Sequence, residues 1–587
     1  RFSSQPIEEV SVSVTITAAG ELGAIYSPSH DVDVERLGAK GAKVLYEAQD
    51  VLPDRDFALY YSQEGDPLGL HLLTYRQPGE DGFFLLLLAP GLQAEPGEIV
   101  ARDVILALDT SGSMRGEKLK QAKSAARYVL DHLQGDDRFA IVTFSSSIDR
   151  FARGLSASSE RGEAFRFLNR LRAGGGTNFQ LALREALAAG RTDRPQVILF
   201  LTDGLPTEGE RRIDRLLRMV SDMAKENVRL FTFGVGYDVN TTLLDLLAQE
   251  HHGASFYVRP DEDIERAVSS FYDTISSPVL SGTSLDLGDV HAYDIHPYPL
   301  PDLFAGRQLV VVGRYRDEGK ATVKLAGTVN GARVERVFED VPFLSRVGAD
   351  FIPRLWATRK IGHLLAQIRL HGAEQELVDE IVELSIRYGI VTPYTSFLVD
   401  ETEDSLSTRG RRDIAKRYLS RAAPASSRDG MGGAGAPAQA APSGKAEVEK
   451  SIGQNALQRA KAPPAPAPGL VQTVRSKTFV FRNGAWVDTA FDVAEMRAEQ
   501  IVFGSRRYFQ LADAHRELGA YLALGAHVIL WWDGHGYEIG PGDRWQTRRA
   551  IQTAPTPQGG PPSGTSVAIS QEAFWRLVGE YQRVMAR

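Results

Sequence analysis

The stretch VILALDTSGSM at residues 104–114 decides how the centre of the chain is read. Its first residues, 104–108, form an unbroken apolar run. That suits a strand covered on both faces, because a half-exposed strand would alternate apolar and polar positions. Asp109, Thr110, Ser111, Gly112 and Ser113 follow directly, a loop of short oxygen-bearing side chains. Beyond the loop, Leu119, Ala122, Ala126, Val129 and Leu133 recur at helical spacing. Strand, polar loop and helix in this order make the repeating unit of a doubly wound sheet with right-handed crossovers.

The alternation continues downstream. Strands are expected at 139–144, 197–201 and 228–235, and helices at 163–171, 179–189, 212–226, 241–249 and 261–275. Residues 100–276 therefore read as a Rossmann-like α/β domain, whose ligands collect at the carboxyl ends of the strands. Two further polar clusters fall in such settings. GGGTN at 174–178 precedes a helix, and TDG at 202–204 follows a strand. A D-x-S-x-S string by itself reads as a turn or a helix cap. The three clusters together, each in a matching loop, point to a metal site built from Asp109, Ser111, Ser113, Thr177 and Asp203.

The flanks differ in character. Residues 1–99 are a β-rich segment, with alternating runs at 10–17, 42–46, 57–61 and 83–88. β character returns at 277–350, and the two segments are expected to pack as one β-sandwich interrupted by the α/β domain. Residues 351–420 read as a helical segment over 353–387 followed by a β-prone tail at 390–399. Ala, Pro, Gly and Ser dominate 421–469, which reads as a linker unable to build a core. Residues 470–587 are expected to form a separate small α+β domain, with strands at 478–481, 485–487 and 527–532 and helices near 508–524 and 571–585. The fold class is thus multidomain α/β plus β.

Composition narrows the function. The 587 residues are 43% hydrophobic and 24% charged, as in a folded protein of about three to five domains. A net charge of -8 offers no basic footprint for nucleic acid. The chain has no cysteine, so disulfides, thiolate zinc sites and cysteine nucleophiles are excluded. The longest apolar stretch, 518–532, is interrupted by His527 and is too short to cross a bilayer, so it reads as core. No Walker A string, G-x-S-x-G elbow or H-E-x-x-H string occurs, and a non-enzymatic protein is expected.

VILALDTSGSM with GGGTN and LTDG at 201–204 resembles the von Willebrand factor A domain with its metal-ion-dependent adhesion site. That resemblance implies direct ligation by the Ser111 and Ser113 hydroxyls. Thr177 would bind directly or through water, and Asp109 and Asp203 mostly through water. Hard oxygen donors suit Mg²⁺, with Mn²⁺ or Ca²⁺ as alternatives. Neutral hydroxyl ligands leave the ion much of its charge, so the carboxylate of a partner's Asp or Glu is the expected ligand.

Four further strings, SPSH at 27–30, DRDF at 54–57, LPDLFAG at 300–306 and YGIVTPYTS at 388–396, are similar to the inter-alpha-trypsin inhibitor heavy chains. In that family a VIT domain precedes the A domain, and the similarity covers about residues 5–400. The resemblance implies an extracytoplasmic metal-dependent adhesion module. Residues 1–99 look like the end of the VIT region, leaving an edge that another chain could complete. The family's Asp-Pro-His segment is absent, so covalent glycosaminoglycan attachment is not expected. The alternative function is a structural scaffold of a multi-chain assembly whose metal stiffens loops.

Other candidates have plainer readings. His251-His252 fits a helix C-terminus, and Asp261, Glu262 and Asp263 fit a helix start. Asp31 and Asp33 suit a turn better than a calcium site. The aromatic residues Trp486, Tyr508, Phe509, Tyr521, Trp531, Trp532 and Tyr537 read as core of the last domain rather than a carbohydrate platform.

Overall fold

The structure, a computed structural model, describes residues 7–90, 101–392, 443–464 and 471–541, apart from 19, 28–29, 52–56, 58, 64–67, 78, 191–193, 226, 276–277, 305–307, 330–331, 344–347 and 493–494. The expected strand beyond residue 392 and helix at 571–585 lie outside these residues, as do parts of all four heavy-chain-like strings.

The central domain is built on a seven-stranded sheet. Asp103–Asp109 lies in its middle, parallel to Arg138–Phe144 on one side and Gln196–Thr202 on the other. Val228–Val235 and then Ser255–Val258 extend the parallel array. Every residue of Asp103–Asp109 is buried, and successive residues feed opposite cores. Val104, Leu106 and Leu108 pack with the helices Glu117–Asp131, Arg161–Arg170 and Ile264–Ile275. Ile105 and Ala107 pack with Phe179–Ala189, Ile213–Met223 and Thr241–Glu250. Two covered faces are why the run needs no polar alternation. The edge strand Ser255–Val258 was not anticipated, because its four residues fall between two helices as a run too short to show a period.

The flanking segments share a sheet. Gly82–Pro90 pairs with Leu309–Tyr315, Leu85 opposite Val312, so the α/β domain is inserted between two neighbouring strands. Leu68–Tyr75 and Ala292–His296 complete this four-stranded sheet. Phe84, Leu86 and Leu88 face a second sheet carrying Val323 and Leu325, while Phe83, Leu85 and Leu87 face the helix Ile352–His371.

Residues 353–387 are helical as expected, as two helices, Ile352–His371 and Gln375–Tyr388. They are separated at Gly372, whose φ of 97° ends the first helix while its N–H bonds the Ile368 carbonyl. Two expectations need correction. The linker contains the helix Lys445–Gln458, in which Val448 is fully buried against the α/β domain and Ile452 packs beside it. Arg259 donates to both oxygens of Glu449 at 2.8 Å, anchoring that helix. Overall composition hid Val448, Glu449 and Ile452, which occupy one helical face.

The last domain is also not isolated. Its six-stranded sheet puts Val480, Val487 and Ile529 against Val378, Val382 and Ile386 of the helix Gln375–Tyr388. The opposite face buries Phe479, Tyr521, Leu530 and Trp532, so most of the aromatic group is core, whereas Phe509 is exposed. Among the described residues no helix is long and apolar enough to cross a membrane.

Candidate metal centre

Asp109, Ser111, Ser113, Thr177 and Asp203 come together at the carboxyl end of the central sheet. The parallel register of Asp103–Asp109 with Gln196–Thr202, Leu108 opposite Leu201, brings the loops after both strands to the same level. The second loop is laced to the first by backbone: Gly112 N–H donates to the Gly175 carbonyl at 3.0 Å and Gly174 N–H to the Thr110 carbonyl at 2.8 Å.

The Ser111 and Ser113 hydroxyls are 3.0 Å apart, and Ser113 donates to Asp203 Oδ1 at 2.7 Å. A Cβ on Gly204 would lie 3.7 Å from Thr177 Oγ1 and 4.0 Å from Ser113 Oγ, so both hydroxyls border the same small space. Thr177 is fixed by its backbone: its N–H donates to Thr207 Oγ1 at 2.8 Å, and its carbonyl accepts from Thr207 and Glu208. Asp109 is used inward. One oxygen accepts the Ser111 N–H at 2.7 Å and the other the Thr202 hydroxyl at 2.6 Å.

Asp109 and Asp203 are both essentially inaccessible to solvent. Burial, assisted by the neighbouring Asp203 charge, pushes the Asp109 carboxyl up to about 6, although the bonds from Thr202 and Ser111 oppose the rise. The Lys118 ammonium, on the first turn of Glu117–Asp131, lies 2.7 Å from Asp203 Oδ2. A cation is therefore already drawn to this carboxylate. Oxygen donors alone, two of them carboxylates in a low-dielectric pocket, fit a hard divalent ion. Among the described residues no group of three or more His, Cys, Asp or Glu side chains is placed to hold a metal, so this hydroxyl-rich set differs in kind from such clusters.

Sequence reasoning missed Thr202, Lys118 and Glu208. Thr202 stood inside the LTDG string, and Lys118 stood at the start of the expected helix. Glu208 carried no signal, because only folding brings its Oε1 within 2.6 Å of the Ser146 hydroxyl. Two glycines of the run are required by their own surroundings. Gly175 adopts φ 86°, and a Cβ on Gly176 would sit 2.3 Å from Glu208 Oε1. Of the minor candidates, His251 caps the helix Thr241–Glu250, Asp33 starts the strand Asp33–Arg36, and Asp31 lies 3.5 Å from Lys461 Nζ.

The family model for the von Willebrand factor type A domain matches residues 103–270, the span of this sheet and its loops. Residues 103–270 are a von Willebrand factor type A domain. Over a little more than half of its length the chain resembles the inter-alpha-trypsin inhibitor heavy chains. Heavy chain H2 of Homo sapiens is 27% identical over 344 residues, covering 54% of this chain and 36% of that protein. The chain thus spans little more than a third of that relative's length. Among solved structures, a von Willebrand factor type A protein from Catenulispora acidiphila is 14% identical with a TM-score of 0.37, covering 55% of this chain and 86% of that one. Proximal thread matrix protein 1 of the mussel byssus, with zinc occupying its MIDAS motif, is 16% identical with a TM-score of 0.26, covering 32% and 50%. Von Willebrand factor A domains are commonly metal-dependent protein-interaction modules, and their adhesion motif binds a divalent metal.

Proposed function

We propose that the chain is a metal-ion-dependent adhesion module of an extracytoplasmic protein, and that its A domain captures an acidic side chain of a protein partner. The convergence of the Ser111, Ser113 and Thr177 hydroxyls with the Asp203 carboxylate at one sheet end carries this reading. These residues and Asp109 would hold Mg²⁺, with Mn²⁺ or Ca²⁺ as alternatives. The ion supplies an electrophilic position that a partner's carboxylate completes.

The chain's own residues prepare that position. Asp109 ties the Ser111 backbone to Thr202, so the first and third loops move as one. Lys118 holds Asp203 by an ion pair that an incoming divalent ion must loosen. Because the hydroxyl ligands are neutral, the site favours an anionic partner over a neutral one.

Retention of a partner by the full chain tests the reading, run in parallel with Mg²⁺, with EDTA and with the Asp109→Ala chain. A partner held in Mg²⁺ and released in both other arms is expected. Equal retention in all arms contradicts it.

A second reading, a structural scaffold whose metal only stiffens loops, draws on the ties between domains. Arg259 with Glu449 and Arg369 with Asp245 join the A domain to the flanking helices through largely buried ion pairs. Under this reading EDTA lowers the melting temperature while any partner stays bound.

A further inference from the structure

A cleft of about 640 Å³ opens at the end of the A-domain sheet remote from Asp109 and Asp203. Its walls are the starts of Val228–Val235 and Ser255–Val258, the strand Leu22–Tyr26, residues 296–304, and the helices Ile352–His371 and Lys445–Gln458. That volume is in the usual range for small-molecule sites, roughly 300–1,000 Å³.

The charge on these walls is unbalanced. Arg229 and Arg369 are matched by Asp302 and Asp245. Arg36, Arg359, Arg459 and Lys461 also line the cleft against Asp31 and Asp33, so its basic side chains outnumber its carboxylates; Lys461 lies 3.5 Å from Asp31, and Asp245 also acts on Arg459. Arg36 donates to the carbonyls of Leu22 and Gly23. Arg359, 5% exposed, donates to the carbonyls of Ala460, His296 and Val310. Arg459, exposed at the cleft, lies over the Phe256 ring at 4.9 Å. Carbonyls satisfy the donors but do not neutralise the charge, and burial pulls the Arg359 guanidinium down to about 10.

A second observation is independent of charge. His296 is 6% exposed on the same wall, and its buried Nε2 has no hydrogen-bond partner. Buried polar atoms are nearly always satisfied, so this nitrogen marks a place for a ligand atom. Ile25, Val34 and Phe231 give the cleft apolar walls beside these groups.

We propose that this cleft binds a small organic anion, a carboxylate or phosphate group carried on an apolar body. The guanidinium groups take the anionic head, His296 Nε2 adds a hydrogen bond, and the apolar residues take the body. The proposal does not depend on the metal centre, which lies at the opposite end of the sheet.

Calorimetric titration of the full chain in EDTA, with octanoate, octyl phosphate and octanol as probes, tests it. Saturable binding of at least one of the anions at a single site is expected, with octanol weaker by about tenfold or more. The tighter anion identifies the head group. Arg459→Gln and the cleft-filling Ala366→Phe should each weaken that anion by about tenfold or more. Should Ala366→Phe fail to fold, Arg459→Gln decides alone, since its side chain is exposed. The absence of saturable anion binding, octanol binding as tightly, or wild-type affinity in the folded variants overturns the proposal.

Discussion

The Thr202 hydroxyl donates to Asp109 Oδ2 at 2.6 Å across two neighbouring parallel strands, joining the first and third loops of the candidate metal centre through a fully buried bond. The other oxygen of this buried carboxylate accepts the Ser111 N–H, and Thr202 is the donor to Oδ2, so the hydroxyl is structural as well as positioning. Thr202→Val preserves shape and removes the donor. A loss of about 1–3 kcal/mol is expected in urea unfolding without metal, the range for leaving a buried acceptor unsatisfied. An unchanged midpoint would show that the bond stabilises nothing.

Asp109 gives a pH signature. Its carboxyl titrates near 6 in the folded chain, above its ordinary value of 3.8. The folded state therefore holds this proton more tightly than the unfolded state does. The associated stability is fully present below about 3.8 and is lost as pH rises through about 6. In EDTA, wild-type stability should fall relative to Asp109→Asn between pH 4 and 7, by on the order of 2 kcal/mol. Parallel pH profiles of the two chains would contradict the assignment.

Lys118 competes with a bound ion for Asp203. Its ammonium lies 2.7 Å from Oδ2, and its side chain is 40% exposed. Lys118→Met frees the carboxylate and removes a like charge beside the ion. Mg²⁺ affinity should rise by about three- to tenfold, the scale of a partly screened charge pair. Weaker Mg²⁺ binding in this variant would mean that Lys118 helps to build the site.

Glu449 anchors the helix Lys445–Gln458 to the A domain. Arg259 keeps a second carboxylate, Glu262 at 2.8 Å, so losing Glu449 should cost less than the about 3–5 kcal/mol of a fully stranded buried charge. Glu449→Ala should therefore speed amide exchange across this helix ahead of the rest of the chain. Unaltered exchange there would show that Val448 and Ile452 suffice to hold the helix.

The A domain was legible because its signals are local. Residues 104–108 lack alternation since both faces are covered, and the oxygen-bearing residues of each loop are nearly contiguous in sequence. Thr177 and Asp203 were placed by loop context; the parallel register brings Asp203 to Asp109, and backbone bonds between the first and second loops bring Thr177. The helix Lys445–Gln458 was illegible because its stability is tertiary: Glu449 needs Arg259, 190 residues away. Glu208 and the cleft beside His296 were hidden for the same reason, since their neighbours come from distant segments. Ser255–Val258 was too short for periodicity to separate from its surroundings.

The central claim is that Asp109, Ser111, Ser113, Thr177 and Asp203 hold one divalent ion. Titration of the full chain with Mn²⁺, read by the electron paramagnetic resonance signal of the free ion, measures this directly. A single tight Mn²⁺ per chain is expected, displaced by Mg²⁺ and absent from Asp109→Ala and Ser113→Ala chains that retain the wild-type circular dichroism. Mn²⁺ bound with the same stoichiometry and affinity in both folded variants would contradict the account.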